Sequence, residues 1–304
     1  MLKTAAVVVT YNRKELLGKC LRALLSQTVG CDIYVVDNDS SDGTGEMITT
    51  EFARPEVKYI NSGANLGGAG GFQLGMERAV RDGYRYIWVM DDDTIPRHDS
   101  LEKLFRGGHA LKGRWGALSS VAEWTDGNIC RANRQKKTIF TFASDRELRQ
   151  KEPVRCEMIS FVSMLIRASA VKRLGLPKGE YFIWSDDYEY SGRISKHYPI
   201  YVITDSVVTH AMKENKKADF AVESPERIDR YHLLYRNDVD CYRQFGLRGW
   251  VYVILKDIIA CMNVLLRSEN DSFRKIAVVF KGFREGLTFR PEIRNVNKKR
   301  NEGG

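Results

Sequence analysis

Three consecutive carboxylates, Asp91-Asp92-Asp93, directly follow an apolar run at 86–90. Crowded carboxylates repel one another unless a cation neutralises them, and hard divalent ions such as Mg2+ or Mn2+ suit oxygen ligands. In an alternating strand geometry Asp91 and Asp93 share one side and form the natural ligand pair; a solvated acidic turn is the plainer alternative. A second pair, Asp186-Asp187, follows the aromatic run Tyr181-Phe182-Ile183-Trp184. Such a pair caps a helix or, under aromatic cover, includes a carboxylate poised as a general base. Glu189 would stand about 200° around the same helix from Asp187, which removes it from that task. His210 ends a short apolar run, a place where an acidic metal site finds a nitrogen ligand, although a lone histidine is commonly structural.

Asn65-Leu66-Gly67-Gly68-Ala69-Gly70-Gly71 is a glycine-rich turn opening a helical pattern. Backbone N–H groups in such a turn can approach a diphosphate, and a helix N-terminus favours its charge; a flexible turn is the alternative. It is no dinucleotide fingerprint, since the third glycine position holds Gln73, and no P-loop, since no Gly-Lys-Ser/Thr follows. A serine nucleophile elbow and a Cys/His signature are both missing from the sequence. The six cysteines form no C-x-x-C pair, so neither a zinc knuckle nor a disulfide framework is indicated, and a reducing compartment is expected.

The elements that must position these residues are legible in the first third. Apolar β-branched runs at 5–9, 33–36, 57–60 and 86–90 read as strands. Helical patterns lie between them: one opened by a capping box at Asn12 and Glu15, then 45–52, then 71–81. Alternating strands and helices predict a parallel sheet covered on both faces, with ligands beyond the carboxyl ends of its strands. Those ends read Thr10-Tyr11-Asn12-Arg13, Asp37-Asn38-Asp39, 61–65 and Asp91-Asp92-Asp93, one polar rim. Further on, a helix is expected at 101–111, a strand at 116–121 and a polar, basic loop insertion at 123–155. After these come an apolar segment at 159–166, a helix to Leu174, and a helix from the aspartate pair to about His197. Two strands at 201–204 and 207–209 follow, then helices at 230–245, 250–266 and 273–286, and a basic tail from Arg290.

The 304 residues, 43% hydrophobic and 29% charged, exclude a disordered or fibrous chain and allow one large domain or two small ones; from Ile228 the character changes to helices, which divides the chain into 1–227 and a helical region over 228–304. Lys and Arg number 48 against 39 Asp and Glu, a net charge of +9 that predicts an acidic partner. The basic residues are dispersed and carry no recognition motif, so nucleic acid is not expected. No uninterrupted apolar run reaches the roughly 18–20 residues of a membrane span, and no secretory signal is read at the N-terminus, so a cytoplasmic protein is expected. The mostly apolar 250–266 segment, followed by Lys281, Arg284, Arg290, Arg294 and the run 298–300, reads as core packing or as a membrane-surface contact.

Taken together and in this order, Val9 to Arg13, Val36-Asp37-Asn38, Asn65 to Phe72, Met90 to Asp93, Phe182 to Tyr190 and His210 resemble a family 2 glycosyltransferase of the GT-A fold. The likeness covers about residues 4–245 and is greatest to the bacterial galactofuranosyltransferases, with rhamnosyltransferases as close relatives. The resemblance implies an α/β, Rossmann-like nucleotide-sugar-binding fold with a largely parallel sheet and a C-terminal helical extension. It also implies a UDP-sugar donor, Mn2+ or Mg2+, and inversion at the anomeric carbon.

Carried across by position, Thr10, Tyr11, Asn12 and Arg13 would line the nucleotide site, and Asp37 would hydrogen-bond the base ring with Asn38 alongside. Asn65, Gly67 and Gly68 would approach the donor, with Asp91, Asp92, Trp184 and Asp186 around it. Asp91, Asp93 and His210 would hold the metal, and Asp187 would be the base. Mycobacterial galactofuranosyltransferases carry Trp directly before the two aspartates, whereas here Ser185 intervenes. The expected acceptor is a lipid-linked cell-surface glycan, such as an O-antigen or capsule precursor, extended by one or a few sugars at the inner membrane face. The C-terminal helices would meet lipid or a second subunit. Two rival readings stand beside it: a nucleotide-sugar-binding protein without turnover, which needs no base at Asp187, and a nucleotidyltransferase, which would carry a glycine-rich basic loop after the first strand.

Overall fold

The computed structural model describes residues 3–296; the basic run 298–300 lies outside them. In chain order the elements are β1 (Thr4–Thr10), α1 (Lys14–Leu25), β2 (Asp32–Asp37), α2 (Thr44–Glu51), β3 (Val57–Asn61), α3 (Gly67–Arg81), β4 (Tyr86–Asp91), β5 (Thr94–Pro96), α4 (Ser100–Ala110), β6 (Ala117–Glu123), α5 (Asp145–Leu148), β7 (Val154–Cys156), β8 (Met164–Arg167), α6 (Ala168–Leu174), α7 (Asp186–Ser195), β9 (Ile200–His210), α8 (Pro225–Ile228), α9 (His232–Arg243), α10 (Leu247–Arg267) and α11 (Ser272–Thr288).

One sheet runs in the order β3-β2-β1-β4-β8-β6-β9-β5, with β7 added to β9. β3, β2, β1 and β4 are mutually parallel. β8 runs against β4 and β6, while β6 and β9 return to the common direction. β1 is buried along its whole length and alternates between layers: Val7 and Val9 join one apolar cluster, Ala6 and Val8 the other. A strand buried on both faces needs this unbroken apolar composition. α3 lies unusually close to it, because a Cβ on Gly71 or Gly75 would come within 2.5 Å of Val9 or 2.4 Å of Val7.

Several elements differ from the expectation. Asn12 caps nothing: α1 begins after Arg13 without a side-chain cap, and Asn12, at φ 52°, accepts the Ser41 N–H with its side-chain oxygen at 2.8 Å. α3 starts at Gly67, so the glycine-rich turn is itself the first turn of the helix. The two strands expected at 201–209 are one, β9, continuous through a register shift opposite Ser120 and Val121. β5, three residues long, carried no periodic signal. The 123–155 insertion is mainly irregular, holding α5 and β7, yet Gln135, Lys136 and Ile139 within it are buried.

α10, at 21 residues, is the longest element among the described residues, and its apolar run is interrupted as the sequence shows. By length and composition it is apolar enough to cross a membrane. The residues that break its apolar run, Lys256 and Asp257, turn inward, Lys256 pairing with Asp238 of α9. Its outer face is left exposed and apolar.

Candidate active site

The carboxyl ends of β1 and β4 meet the end of β9 and the start of α7 around one cavity of about 690 Å³. Arg13, Gly68, Asp91, Asp92, Asp93, Trp184, Asp186, Asp187 and His210 lie on its wall. Thr10, Tyr11, Asn12, Asp37, Asn38, Asn65 and Gly67 lie outside that wall. Asp37, expected at the base ring, is fully buried; it accepts the Tyr59 hydroxyl at 2.7 Å and the Ser40 N–H at 2.9 Å. Asn38 and Asn65 shape the glycine turn: Asn38 donates to the Gly67 carbonyl at 2.9 Å, and Asn65 accepts the Gly67 N–H at 2.9 Å.

The aspartate triplet divides its work. Asp92 points back to β1, accepting the Thr10 hydroxyl at 2.8 Å and Arg13 at 3.2 Å. Arg13 also reaches Asp93 at 2.7 Å, and His210 Nε2 lies 3.1 Å from the other Asp93 oxygen. One ligand atom each from Asp91, Asp93 and His210 lies within 4.8 Å of the other two. β5 makes this possible: it pairs Thr94 with His210, so the turn after β4 lands beside the end of β9.

The charge balance follows from burial. Desolvation, then the charge of Asp93, pushes Asp91 up to about 7. Desolvation raises Asp92 to about 6 against the pull of Arg13. Asp93 goes the other way: burial would raise it, but His210 and Arg13 hold it below the ordinary carboxylate value. Burial alone would lower His210, whereas its bond to Asp93 and the charges of Asp93 and Asp91 carry it up to about 10. A divalent ion fits this set. Two carboxylates and an imidazole are a hard oxygen–nitrogen donor group, and the buried His210 Nδ1 has no hydrogen-bond partner.

Asp187 enters the cavity from the first turn of α7. The turn before it is held in an uncommon shape: Phe182, Trp184 and Ser185 have φ of 63°, 68° and 63°. Side chains rarely adopt this left-handed region, and such strain persists only where the surroundings enforce it. Here Asn237 of α9, fully buried, donates toward the carbonyls of Tyr181, Ile183 and Trp184 at 3.0, 2.9 and 3.0 Å. The Ser185 hydroxyl donates to Asp238 at 2.6 Å. The Gly67 turn packs on the same segment, the Ala69 N–H donating to the Phe182 carbonyl at 3.2 Å. Burial, then the charges of Asp186 and Asp91, drives Asp187 well above the ordinary carboxylate range. Asp186 is raised by burial to about 6. Glu189 faces away, paired with Arg193 at 3.0 Å and Lys178 at 3.4 Å.

Sequence reasoning missed the rest of the wall. Arg131, Arg134, Lys136 and Phe142 reach it from the insertion, Lys217 from the loop after β9, and Asp238, Tyr242, Tyr252 and Lys256 from α9 and α10. The only signal was the basic character of 131–137 within an otherwise irregular segment.

A family profile described as Glycosyl transferase family 2 matches residues 5–173. A protein named galactofuranosyltransferase GlfT1 from Mycolicibacterium smegmatis is 32% identical over 204 residues, covering 62% of this chain and 64% of that protein. Thus this match spans less than two thirds of that relative. The protein of the same name from Mycobacterium tuberculosis is 28% identical over 290 residues, 83% of this chain and 89% of that one. Among solved structures, GalNAc-T7 with UDP, GalNAc and Mn2+ aligns at a TM-score of 0.65 and 14% identity, over 94% of this chain and 56% of that one. The mannosyltransferase PcManGT from Pyrobaculum calidifontis, with GDP-Man and Mn2+, aligns at 0.57 and 14% identity, over 94% of this chain and 87% of that one. At such identities the likeness is one of fold, the GT-A fold expected from the sequence.

Proposed function

Because this chain belongs to glycosyl transferase family 2, we propose that it transfers galactofuranose from UDP-galactofuranose, with inversion, to a hydroxyl of a lipid-linked glycan. Membership and fold make it a glycosyltransferase acting on a nucleotide sugar. The finer reading rests on its likeness to the two mycobacterial relatives. The transfer reading is carried by one observation: Asp91, Asp93 and His210 lie on the same cavity as Asp187, a half-buried carboxylate in the first turn of α7.

Asp91, Asp93 and His210 would hold Mn2+ or Mg2+. Such an ion supplies Lewis-acid neutralisation of the charge that builds on the leaving diphosphate. The positive end of the α3 dipole, where Gly68 lines the cavity, adds partial positive charge for the same phosphates. Thr10 and Arg13 keep Asp92 turned away from the ligand set. Asp187 takes the proton of the acceptor hydroxyl as that oxygen attacks the sugar from the face remote from the diphosphate. Its raised proton affinity makes it a better base than an exposed aspartate. One displacement inverts the anomeric carbon, and no covalent intermediate forms.

The exposed apolar face of α10 and the exposed cations Lys281 and Arg284 on α11 support a working position at an anionic lipid surface, on the cytoplasmic side where a lipid-linked acceptor would be met. Release of UDP or dTDP by the purified protein tests the donor, using UDP-galactofuranose, UDP-galactopyranose, UDP-glucose and dTDP-rhamnose, each with Mn2+, Mg2+ or chelator. Metal-dependent release from UDP-galactofuranose alone is expected. Preference for dTDP-rhamnose would keep the mechanism and replace the donor, and absence of both cleavage and binding across the panel would overturn the reading.

A further inference from the structure

In the proposed reading the donor's phosphates meet the metal site and the α3 N-terminus, yet the cavity carries further cations that form no ion pair among the described residues. Lys136 is 2% exposed. Its ammonium donates only to neutral oxygens: Tyr242 Oη at 2.7 Å, Tyr252 Oη at 2.8 Å and the Ile139 carbonyl at 3.3 Å. Among the described residues no carboxylate forms an ion pair with it. The rings of Tyr252, Tyr242 and Phe142 surround it, with centroids at 4.4, 4.9 and 5.1 Å. Lys217 sits over the same Phe142 ring at 4.5 Å, so two ammonium groups share one exposed ring. Arg131, exposed on the same wall, also has no ion pair among the described residues.

An ammonium buried among neutral oxygens and rings is stabilised less than one in direct ion-pair contact, and its cation–π contacts offset only part of the lost hydration. An anion arriving from solution removes that imbalance. Lys136, buried among neutral partners, together with the exposed Arg131 and Lys217, suits a multiply charged phosphate better than a single carboxylate.

We propose that Arg131, Lys136 and Lys217 form an acceptor-side subsite for a phosphate or diphosphate group, walled by Phe142, Tyr242 and Tyr252. This rests on the reading of the cavity as a transferase site, and it deepens that reading by giving the acceptor a phosphate. The phosphate belongs either to a lipid headgroup or to a soluble sugar phosphate, and the test separates the two.

Binding of inorganic pyrophosphate, farnesyl diphosphate and farnesol is measured by calorimetry at fixed ionic strength. Chelator is present so that the aspartate site contributes nothing through a metal. The wild-type protein is compared with Arg131→Ala/Lys217→Ala, two exposed positions, and with Lys19→Ala/Lys172→Ala, which removes equal charge away from the cavity. Both diphosphates should bind the wild type and the control pair, and bind at least tenfold more weakly to the cavity variant, while farnesol should bind none of them. Lys136→Met, checked for folding by its melting curve, should weaken them similarly; where it does not fold, the double variant decides alone. Tighter binding of farnesyl diphosphate than of pyrophosphate supports a lipid source, and equal binding supports a soluble ester. No diphosphate binding to the wild type, or equal loss in the control pair, or no loss in the cavity variant, overturns the subsite. No donor is present, so a protein that binds diphosphate but cleaves no nucleotide sugar keeps the subsite and loses the donor reading. Donor cleavage without diphosphate binding does the reverse.

Discussion

At the scale of single residues, substitutions at Asp187 and Asp93 test the proposed base and the proposed metal ligand separately. Asp187→Asn keeps the shape of the α7 turn and its acceptance of the Tyr188 N–H at 2.7 Å, but removes the base. It should bind donor normally while transfer falls by about 10²–10⁴, measured as kcat beside nucleotide affinity. Asp93→Ala releases both Arg13 and His210. Its donor affinity should become the same with Mn2+ as with chelator, and retained metal dependence would remove the ligand assignment. Asp257 gives a pH signature remote from the chemistry. It is buried with neither carboxylate oxygen bonded, and burial, then the charge of Asp238, pushes it up to about 8. The folded state therefore holds a proton that the unfolded chain releases near pH 4. This residue's contribution is whole below about pH 4, falls as pH rises towards 8 and stays lost above it. Asp257→Asn should melt higher than wild type at pH 8, with the gain vanishing by pH 4; a thermal scan across pH checks it.

At the scale of elements, the glycine turn and the aromatic turn hold each other. Gly67 has φ of 69°, and a Cβ there would lie 2.1 Å from the Phe182 carbonyl oxygen, whereas a Cβ on Gly68 meets nothing within 4 Å. The left-handed conformation costs a non-glycine residue about 1–2 kcal/mol before any clash. Gly67→Ala should therefore lower the melting temperature by at least about 4 °C and weaken donor binding, while Gly68→Ala leaves the melting curve in place. This coupling shows what the sequence could and could not disclose. The β-branched runs and the helix periodicity made the parallel half of the sheet legible, because those strands are buried on both faces and must be apolar throughout. The meeting of Asp91, Asp93 and His210 was also within reach, since the acids stand at the end of one strand and the histidine at the end of another. The aromatic turn was not, because Phe182, Trp184 and Ser185 give no sign of left-handed backbone. Their shape is imposed by Asn237, more than fifty residues downstream. The cationic wall was hidden for the same reason: Lys136 stands in a segment without periodicity, and only folding brings it to Tyr242 and Tyr252.

At the scale of the whole molecule, α10 joins the cavity to the outside. Tyr252 and Lys256 on its inner face line the cavity, and Asp257 beside them is buried. On its outer face Ile254, Leu255, Ile258, Ile259, Met262, Leu265 and Leu266 are exposed, and α11 adds Phe273 and Phe280. A 21-residue helix with one apolar face is suited to lie in a lipid interface. Its inward pair with Asp238 sets it against crossing the bilayer, since a span would have to strip Lys256 from its partner. On the proposed reading, the exposed Lys281 and Arg284 would select the charge of that surface. The protein should therefore float with vesicles containing phosphatidylglycerol and far less with pure phosphatidylcholine. Leu255→Asp/Ile259→Asp should abolish flotation on both, because each change sets a charge into the apolar face. Lys281→Ala/Arg284→Ala should weaken only the anionic case, by about 1 kcal/mol per charge or roughly thirtyfold together, and added salt should narrow that gap. If instead the wild type sediments as a dimer without lipid, and the aspartate variant as a monomer, the face belongs to a second copy of the chain. The membrane reading then falls, and the route by which a lipid-borne acceptor reaches Asp187 must be sought elsewhere on the cavity rim.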